Sequence, residues 1–244
     1  MEYPQVSLII PHHNDWKCLR HCLEGIRQYS NCNVEIILAD HGSSKIPDPI
    51  LKWPGLQVIQ NQWDVGTAVS LNQGMERARG EYIGWLSSNA LPSYRWLTQL
   101  LYVLEQDNEA GMVGPVTNRG YPDQKLAIPF KNISKIHRFS NQYNHTNRDR
   151  WKETKVLSRF CVLFHRRLLQ EIGWLDERYG FGSHDQIDYC TRLRKAGYKL
   201  IVAGDTYVHQ LGKKGLTKEE VRDRIRIRKQ NRRYYWRKWF YLQN

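Results

Sequence analysis

No apolar run in the chain approaches the roughly 18 residues that a spanning helix needs, so no spanning helix is expected within it. Cysteine is scarce. Cys18, Cys22, Cys32, Cys161 and Cys190 are odd in number and form no CxxC. That argues against a disulfide framework and a cysteine zinc site, and fits a reducing compartment. Cys18 and Cys22 sit one helical turn apart, the spacing of two residues packed on a core face. No GxGxxG follows the first apolar strand, which counts against a nicotinamide dehydrogenase. The opening residues Met1 to Gln5 carry neither a basic nor an apolar stretch, so no secretory signal is expected. Negative charge is also short. The 24 Asp and Glu face 37 Lys and Arg, a net charge of +13 that calls for an anionic partner. Nucleic acid, a phosphate-bearing ligand and an anionic lipid surface all qualify.

What is present is an ordinary globular composition, 41% hydrophobic and 25% charged over 244 residues, enough for one large domain. Val6-Ser7-Leu8-Ile9-Ile10 reads as a strand ended by Pro11. A helix follows with Trp16, Leu19, Leu23 and Ile26 on one face, then a strand over 34–39 running into Asp40. This strand–helix–strand order implies a parallel pair and a right-handed crossover. Ligands of such sheets sit beyond the C-terminal strand ends, where Pro11 to Asp15 and Asp40 to Ser43 fall. A third strand is expected over 56–59 and a helix over 64–79, with Ala68, Leu71, Met75 and Ala78 inward and Gly80 as its C-cap. A strand over 81–86 ends at Ser87-Ser88-Asn89. Pro92 opens a helix striped with Trp96, Leu97, Leu100, Leu101 and Leu104, and a strand follows over 111–115. Over 117–157 apolar periodicity is lost, and a polar insertion or lid is expected. A strand (159–164), a helix (166–172) and, beyond the acidic stretch, a strand (199–202) complete the pattern. The chain reads as one domain, 1–216, followed by a basic aromatic helix over 217–244.

Phe181 to Cys190 organises the rest. Ser183 and Gln186 form a capping-box pattern that puts Asp185 in the first turn of a helix, with Ile187, Cys190, Leu193 and Ala196 behind it. A carboxylate so fixed in a cleft is a candidate general base. Acids also suit a helix N-terminus on electrostatic grounds alone.

Several motifs now line up in order. Ser7-Leu8-Ile9-Ile10-Pro11-His12-His13-Asn14, then Glu35 to Asp40-His41-Gly42-Ser43, resemble the first two strand ends of family 2 glycosyltransferases. Asn61, Gly66, Asn72, Gly74, Ala78 and Arg79 match that family's spacing up to Gly80-Glu81-Tyr82-Ile83. Glu171 to Arg178 resembles its "xVGxFDExF", and His184 to Arg192 falls where it keeps "EDxDxxxR". The resemblance spans about 6–209. It implies an α/β GT-A fold: a Rossmann-like, mostly parallel central sheet flanked by helices. It also implies inverting transfer of a sugar from a UDP- or dTDP-sugar to an acceptor hydroxyl, in surface polysaccharide or lipid-linked glycan synthesis. Asp185 would be the catalytic base. Pro11, His12, Asn14, Asp40, Gly66, Asn72, Ser88, Asn89, Asp188 and Lys213 would contact the nucleotide-sugar. The 117–157 segment would lie on the acceptor side.

Two positions depart from the family. Its DxD reads Ser87-Ser88-Asn89 here, so a divalent cation (Mn²⁺ or Mg²⁺) on the diphosphate would be held weakly, by Asn89 and His209. His184 replaces the usual Glu before Asp185. These losses leave open a non-catalytic nucleotide-sugar binder, or a site where Lys213 and Lys214 neutralise the diphosphate. A nucleic-acid partner has no motif to support it. The tail from Lys218 to Lys238 carries ten Lys/Arg against three Asp/Glu, with Trp236, Trp239 and Phe240 on one helical face. Such a helix lies on an anionic membrane or packs across the domain. The expected location is cytoplasmic, at most peripheral to the inner face of the membrane.

Overall fold

The computed structural model describes residues 4–181, 184–212 and 218–241. In chain order the elements are β1 (Val6–His12), α1 (Trp16–Tyr29), β2 (Val34–Asp40), α2 (Asp48–Leu51), β3 (Leu56–Gln60) and α3 (Gly66–Arg77). Then come β4 (Tyr82–Leu86), β5 (Ala90–Leu91), α4 (Trp96–Gln106), β6 (Ala110–Val116), α5 (Ile133–Tyr143) and β7 (Trp151–Thr154). Last are β8 (Cys161–His165), α6 (Leu168–Glu171), α7 (His184–Lys195), β9 (Lys199–Tyr207), β10 (His209–Gln210) and α8 (Lys218–Trp236).

Eight strands form one sheet in the order β3-β2-β1-β4-β8-β6-β9-β7. β1 to β4 pair in parallel, as do β6 and β9, whereas β8 runs antiparallel to both β4 and β6. The sheet is thus mixed but mostly parallel. Side chains alternate across it. Leu8 and Ile10 enter a core packed with Leu19 and Leu23 of α1 and Trp96 and Leu100 of α4. Ile9 and Ile37 enter a second core with Leu71 and Met75 of α3, Trp85, Phe164 and Tyr189 of α7. At Gly74 a Cβ would lie 2.3 Å from Ile9 Cγ2, so a side chain there would push α3 off β1.

Several expectations are corrected. β1 continues through Pro11 to His12, because β4 has left it after Ile9 and only β2 still pairs there. The cap of α3 is Ala78, not Gly80; Gly80 N instead donates to Ser7 Oγ at 2.8 Å. Pro92 opens no helix. Ala90 and Leu91 pair with Gln210 and His209, which delays α4 to Trp96. The 117–157 segment is ordered rather than featureless. It contains amphipathic α5, with Ile136 buried, and edge strand β7 paired with β9. Sequence reading misses both because the apolar positions, Ile133, Ile136, Phe139 and Tyr143, are diluted by Lys, His and Asn. The 166–172 helix is only the single turn of α6. On α7 the inward face is Gln186, Tyr189, Cys190 and Leu193, while Ala196 is exposed and Ile187 half-buried. Ser183, and so the capping box, lies outside the described residues, as do Lys213 and Lys214.

Candidate active site

The parallel strands β1 and β2 end side by side, with His12 opposite Asp40. Asp40 is fully buried. Ser43 donates to both of its carboxylate oxygens, from its backbone N at 2.9 Å and from its hydroxyl. Asn14, in the left-handed region at φ 56°, ties the two loops together. Its N donates to Ser43 Oγ at 2.9 Å, and its Oδ1 accepts from Ser44 N at 3.2 Å. His12 is buried against Trp16, with ring centroids 4.2 Å apart. Neither ring nitrogen of His12 has a hydrogen-bond partner among the described residues. Burial pulls its pKa down to about 4, so the ring is neutral. A buried polar group without a partner is costly, and this one lies where the strands of such a sheet receive ligands.

Asp185 opens α7, buried. Its Oδ2 is ion-paired with Arg159 and its Oδ1 has no partner among the described residues. A helix N-terminus favours a negative charge at this position. One oxygen is therefore held in direction while the other, buried, has an unused acceptor. Arg159, just before β8, was missed by sequence reading; nothing distinguishes it there from the other basic residues around it. Burial, followed by the charge of Arg228, pulls the His184 pKa down, so the residue in the family's Glu position is a neutral imidazole.

Asp188 has a different role from the nucleotide contact expected of it. It is fully buried and saturated: Arg192 Nε at 3.0 Å, Trp239 Nε1 at 2.8 Å, Lys238 Nζ at 2.8 Å and Tyr179 OH at 3.3 Å. Lys238 also reaches Asp176 Oδ2 at 2.8 Å, and Asn231 Nδ2 donates to Tyr179 O at 2.7 Å. The C-terminal helix is thus strapped to α7. Trp239 turns inward for this, correcting its expected place on one face with Trp236 and Phe240. Those two rings remain exposed and in contact, centroids 4.4 Å apart and planes tilted by 39°. Asn72 is likewise committed. It brackets the backbone of Leu175, donating at 3.0 Å and accepting at 3.0 Å, and donates to Glu177 at 2.7 Å. It borders a cleft of about 810 Å³ with Trp174, Asp176, Arg192 and Lys238, which contains neither Asp185, Asp40 nor Asn89. Gly66 opens α3, its N bonded to Asp64 Oδ1 at 2.9 Å. Pro11 and Ser88 are half-buried.

The position of the family's cation does not fit one. Asn89 is buried, its Oδ1 accepts from Ser87 Oγ at 2.7 Å, and its Nδ2 donates to Leu211 O at 2.9 Å. His209 is bonded through Nδ1 to Tyr207 OH at 2.8 Å, and burial, then Arg119, pulls its pKa down to about 4. The pairing of β5 with β10 places both residues in one small structural clasp without a carboxylate. Elsewhere, among the described residues, His13, His41 and Asp64 do form a cluster able to hold a metal.

A mostly parallel sheet with an aspartate at its second strand end and a buried aspartate opening a helix is the layout of GT-A glycosyltransferases. The family model described as "Glycosyl transferase family 2" matches residues 7–173. The chain belongs to that family. Among curated proteins it is 20% identical to glycosyltransferase AglE of Haloferax volcanii, over 83% of this chain and 65% of AglE. It is 30% identical to glycosyltransferase GlyG of Streptococcus pneumoniae, over 44% of this chain and 37% of GlyG. The chain thus covers about a third to two thirds of these relatives' own lengths. Of solved structures, GalNAc-T7 with UDP, GalNAc and Mn²⁺ superposes with TM-score 0.68 at 16% identity, covering 87% of this chain and 44% of the other. The mannosyltransferase PcManGT of Pyrobaculum calidifontis with GDP-Man and Mn²⁺ gives 0.66 at 20% identity, covering 88% and 59%. These likenesses establish a GT-A fold.

Proposed function

We propose that the chain transfers a sugar from a nucleoside diphosphate sugar, UDP- or dTDP-linked, to an acceptor hydroxyl, with inversion. The observation that carries this is Asp185: buried, directed by Arg159, and with one carboxylate oxygen that has no partner among the described residues. Its unpartnered oxygen takes the proton of the acceptor hydroxyl as the hydroxyl oxygen attacks the anomeric carbon. The diphosphate leaves from the opposite side, which inverts the configuration. Asp40 and the unpartnered ring of His12 receive the nucleobase between the ends of β1 and β2. The diphosphate gathers negative charge in the transition state, and preorganised cations must offset it. Asn89 is already hydrogen-bonded through both amide atoms, so basic side chains take that load and dependence on Mn²⁺ or Mg²⁺ is low. The segment from α5 to β7 faces the acceptor, a surface polysaccharide or lipid-linked glycan. The exposed pair Trp236 and Phe240, beside Arg232, Arg233 and Arg237, rests on an anionic membrane from the cytoplasmic side.

A second reading, a nucleotide-sugar binder without turnover, draws support from that same commitment of Asn89. One experiment separates them. Donor sugars are screened by thermal shift and then assayed for transfer or hydrolysis, with EDTA and with Mn²⁺, for the wild type and Asp185→Asn. Transfer that falls roughly 10²–10⁴-fold in the variant while donor binding persists supports the enzyme. Donor binding without turnover in either protein supports the binder. Near-normal transfer by the variant removes Asp185 as base.

A further inference from the structure

His13, His41 and Asp64 play no part in the transfer chemistry, yet they converge. We propose that they form a binding site for a borderline transition metal ion, Zn²⁺ foremost, with an open coordination position. His13 follows β1, His41 follows β2, and Asp64 stands in the turn before α3. One ligand atom from each lies within 4.8 Å of the others. Ligands about 2.1 Å from a tetrahedral centre lie roughly 3.4 Å apart, so side-chain rotation of about an ångström closes the set.

The orientation of each group suits a metal. His41 Nδ1 lies 2.7 Å from Asp64 Oδ1. A cation would take the place of the proton between these two atoms, so that the Nδ1 lone pair and the carboxylate oxygen face the same ion, with the imidazole proton on Nε2. The His13 ring is stacked on His41, centroids 5.2 Å apart and planes 23° from parallel. Its Nε2 is 3.1 Å from Asn14 Nδ2, which fixes a lone pair there that a metal would take over from the amide.

The backbone brings the loops together independently of any ion. At Gly42, φ is +89° and a Cβ would stand 2.4 Å from Trp63 C and 2.5 Å from Asp64 N. Any other residue would separate His41 from Asp64. Asn14 couples the first loop to the second through Ser43 and Ser44. Two imidazoles and one carboxylate favour Zn²⁺, Co²⁺ or Ni²⁺ over Mg²⁺ and Mn²⁺, which prefer all-oxygen shells. This site is therefore chemically distinct from a cation on the diphosphate. An ion here would staple the loops after β1, β2 and β3 beside the strand ends that carry His12 and Asp40.

The test is titration of the full chain with Zn²⁺ alone by calorimetry in chelator-free buffer, with no nucleotide, so its outcome is independent of catalysis. Co²⁺ serves as a visible-absorption probe. We expect saturable 1:1 binding, intense d–d bands for Co²⁺, and binding weakened at least ~10-fold by His13→Gln, His41→Gln or Asp64→Asn. Asp64→Asn keeps the acceptor for Gly66 N, and His13 is exposed, so both variants should fold with unchanged circular dichroism. Equal Zn²⁺ affinity in wild type and the triple variant, or no saturable binding by the wild type, overturns the site.

Discussion

Lys238→Met tests the strap between the C-terminal helix and α7. The ammonium donates to Asp176 Oδ2 and Asp188 Oδ1, each at 2.8 Å. Those carboxylates are 8% and 0% exposed. Methionine keeps most of the stem, so the loss is charge and hydrogen bonding rather than packing. Each carboxylate keeps another cation: Arg178 at 2.8 Å for Asp176, Arg192 at 3.0 Å for Asp188. The cost therefore falls short of an orphaned buried charge. Two charge-assisted hydrogen bonds sharing one donor contribute about 3 kcal/mol. At roughly 2–4 °C per kcal/mol for a chain of this size, Tm drops by some 6–12 °C at pH 7. The pH dependence has a definite sign. Burial alone would raise Asp176, but hydrogen bonds from Arg178 and Lys238 outweigh it and hold the carboxyl well below its ordinary range. A depressed carboxylate stabilises the fold above its unfolded pKa and loses that contribution as pH falls below it. The gap between wild type and variant should thus be widest at neutral pH and shrink below about pH 4. Differential scanning fluorimetry from pH 3 to 8 measures it. A variant within about 2 °C of wild type at pH 7 would show that the strap adds no stability and refute the reasoning.

Three other outcomes are expected. His12 is held down to about 4 against an ordinary 6.5, so the fold loses stability as pH drops from 6.5 towards 4; His12→Phe should remove roughly 3 kcal/mol of that acid loss in denaturant melts, and an unchanged acid profile would contradict a neutral buried ring. Asn89→Asp replaces the donor to Leu211 O with a carboxylate oxygen; Tm should fall by roughly 3–8 °C without metal, and Mn²⁺ with donor nucleotide should restore part of it, whereas recovery in EDTA would rule out a created metal site. Trp236→Ser with Phe240→Ser should abolish co-sedimentation with anionic liposomes without changing Tm, since both rings are exposed; retained sedimentation would assign membrane affinity to the arginines alone.

The succession of strands and helices in the front half was legible because its signals are local: apolar runs of five to seven residues ending at Asp40 or Ser87, each followed by an amphipathic helix. The place of Asp185 in the first turn of α7 was legible for the same reason. What escaped the sequence was long-range. Arg159 meets Asp185 across 26 residues and Lys238 meets Asp188 across 50, and neither basic residue differs in pattern from its basic neighbours. Asn89 was read as a weakened ligand from its type alone. Its commitment to Leu211, 122 residues away, depends on β10 pairing with β5, two strands of two residues each and too short to leave a periodic trace. The face of α7 was misjudged because tail residues cover Asp188, turning a polar position into an interior one.

The placement of β8 has a consequence for the chain as it leaves the ribosome. β1 to β4 can assemble from the first 86 residues, but the far side of β4 stays unpaired until Cys161–His165 arrives. Tyr82 to Leu86 are all buried in the finished fold, so the nascent chain exposes a flat apolar edge for some 75 residues of synthesis, at 5–20 residues per second for roughly 4–15 s. Open edges of this kind recruit other strands. A chain stalled or cut between α4 and β8 should therefore be a chaperone client and an aggregation seed, and one cut after His165 should still expose the buried edge of β6 that β9 later covers. The family match ends at residue 173, just after the edge of β4 has been closed.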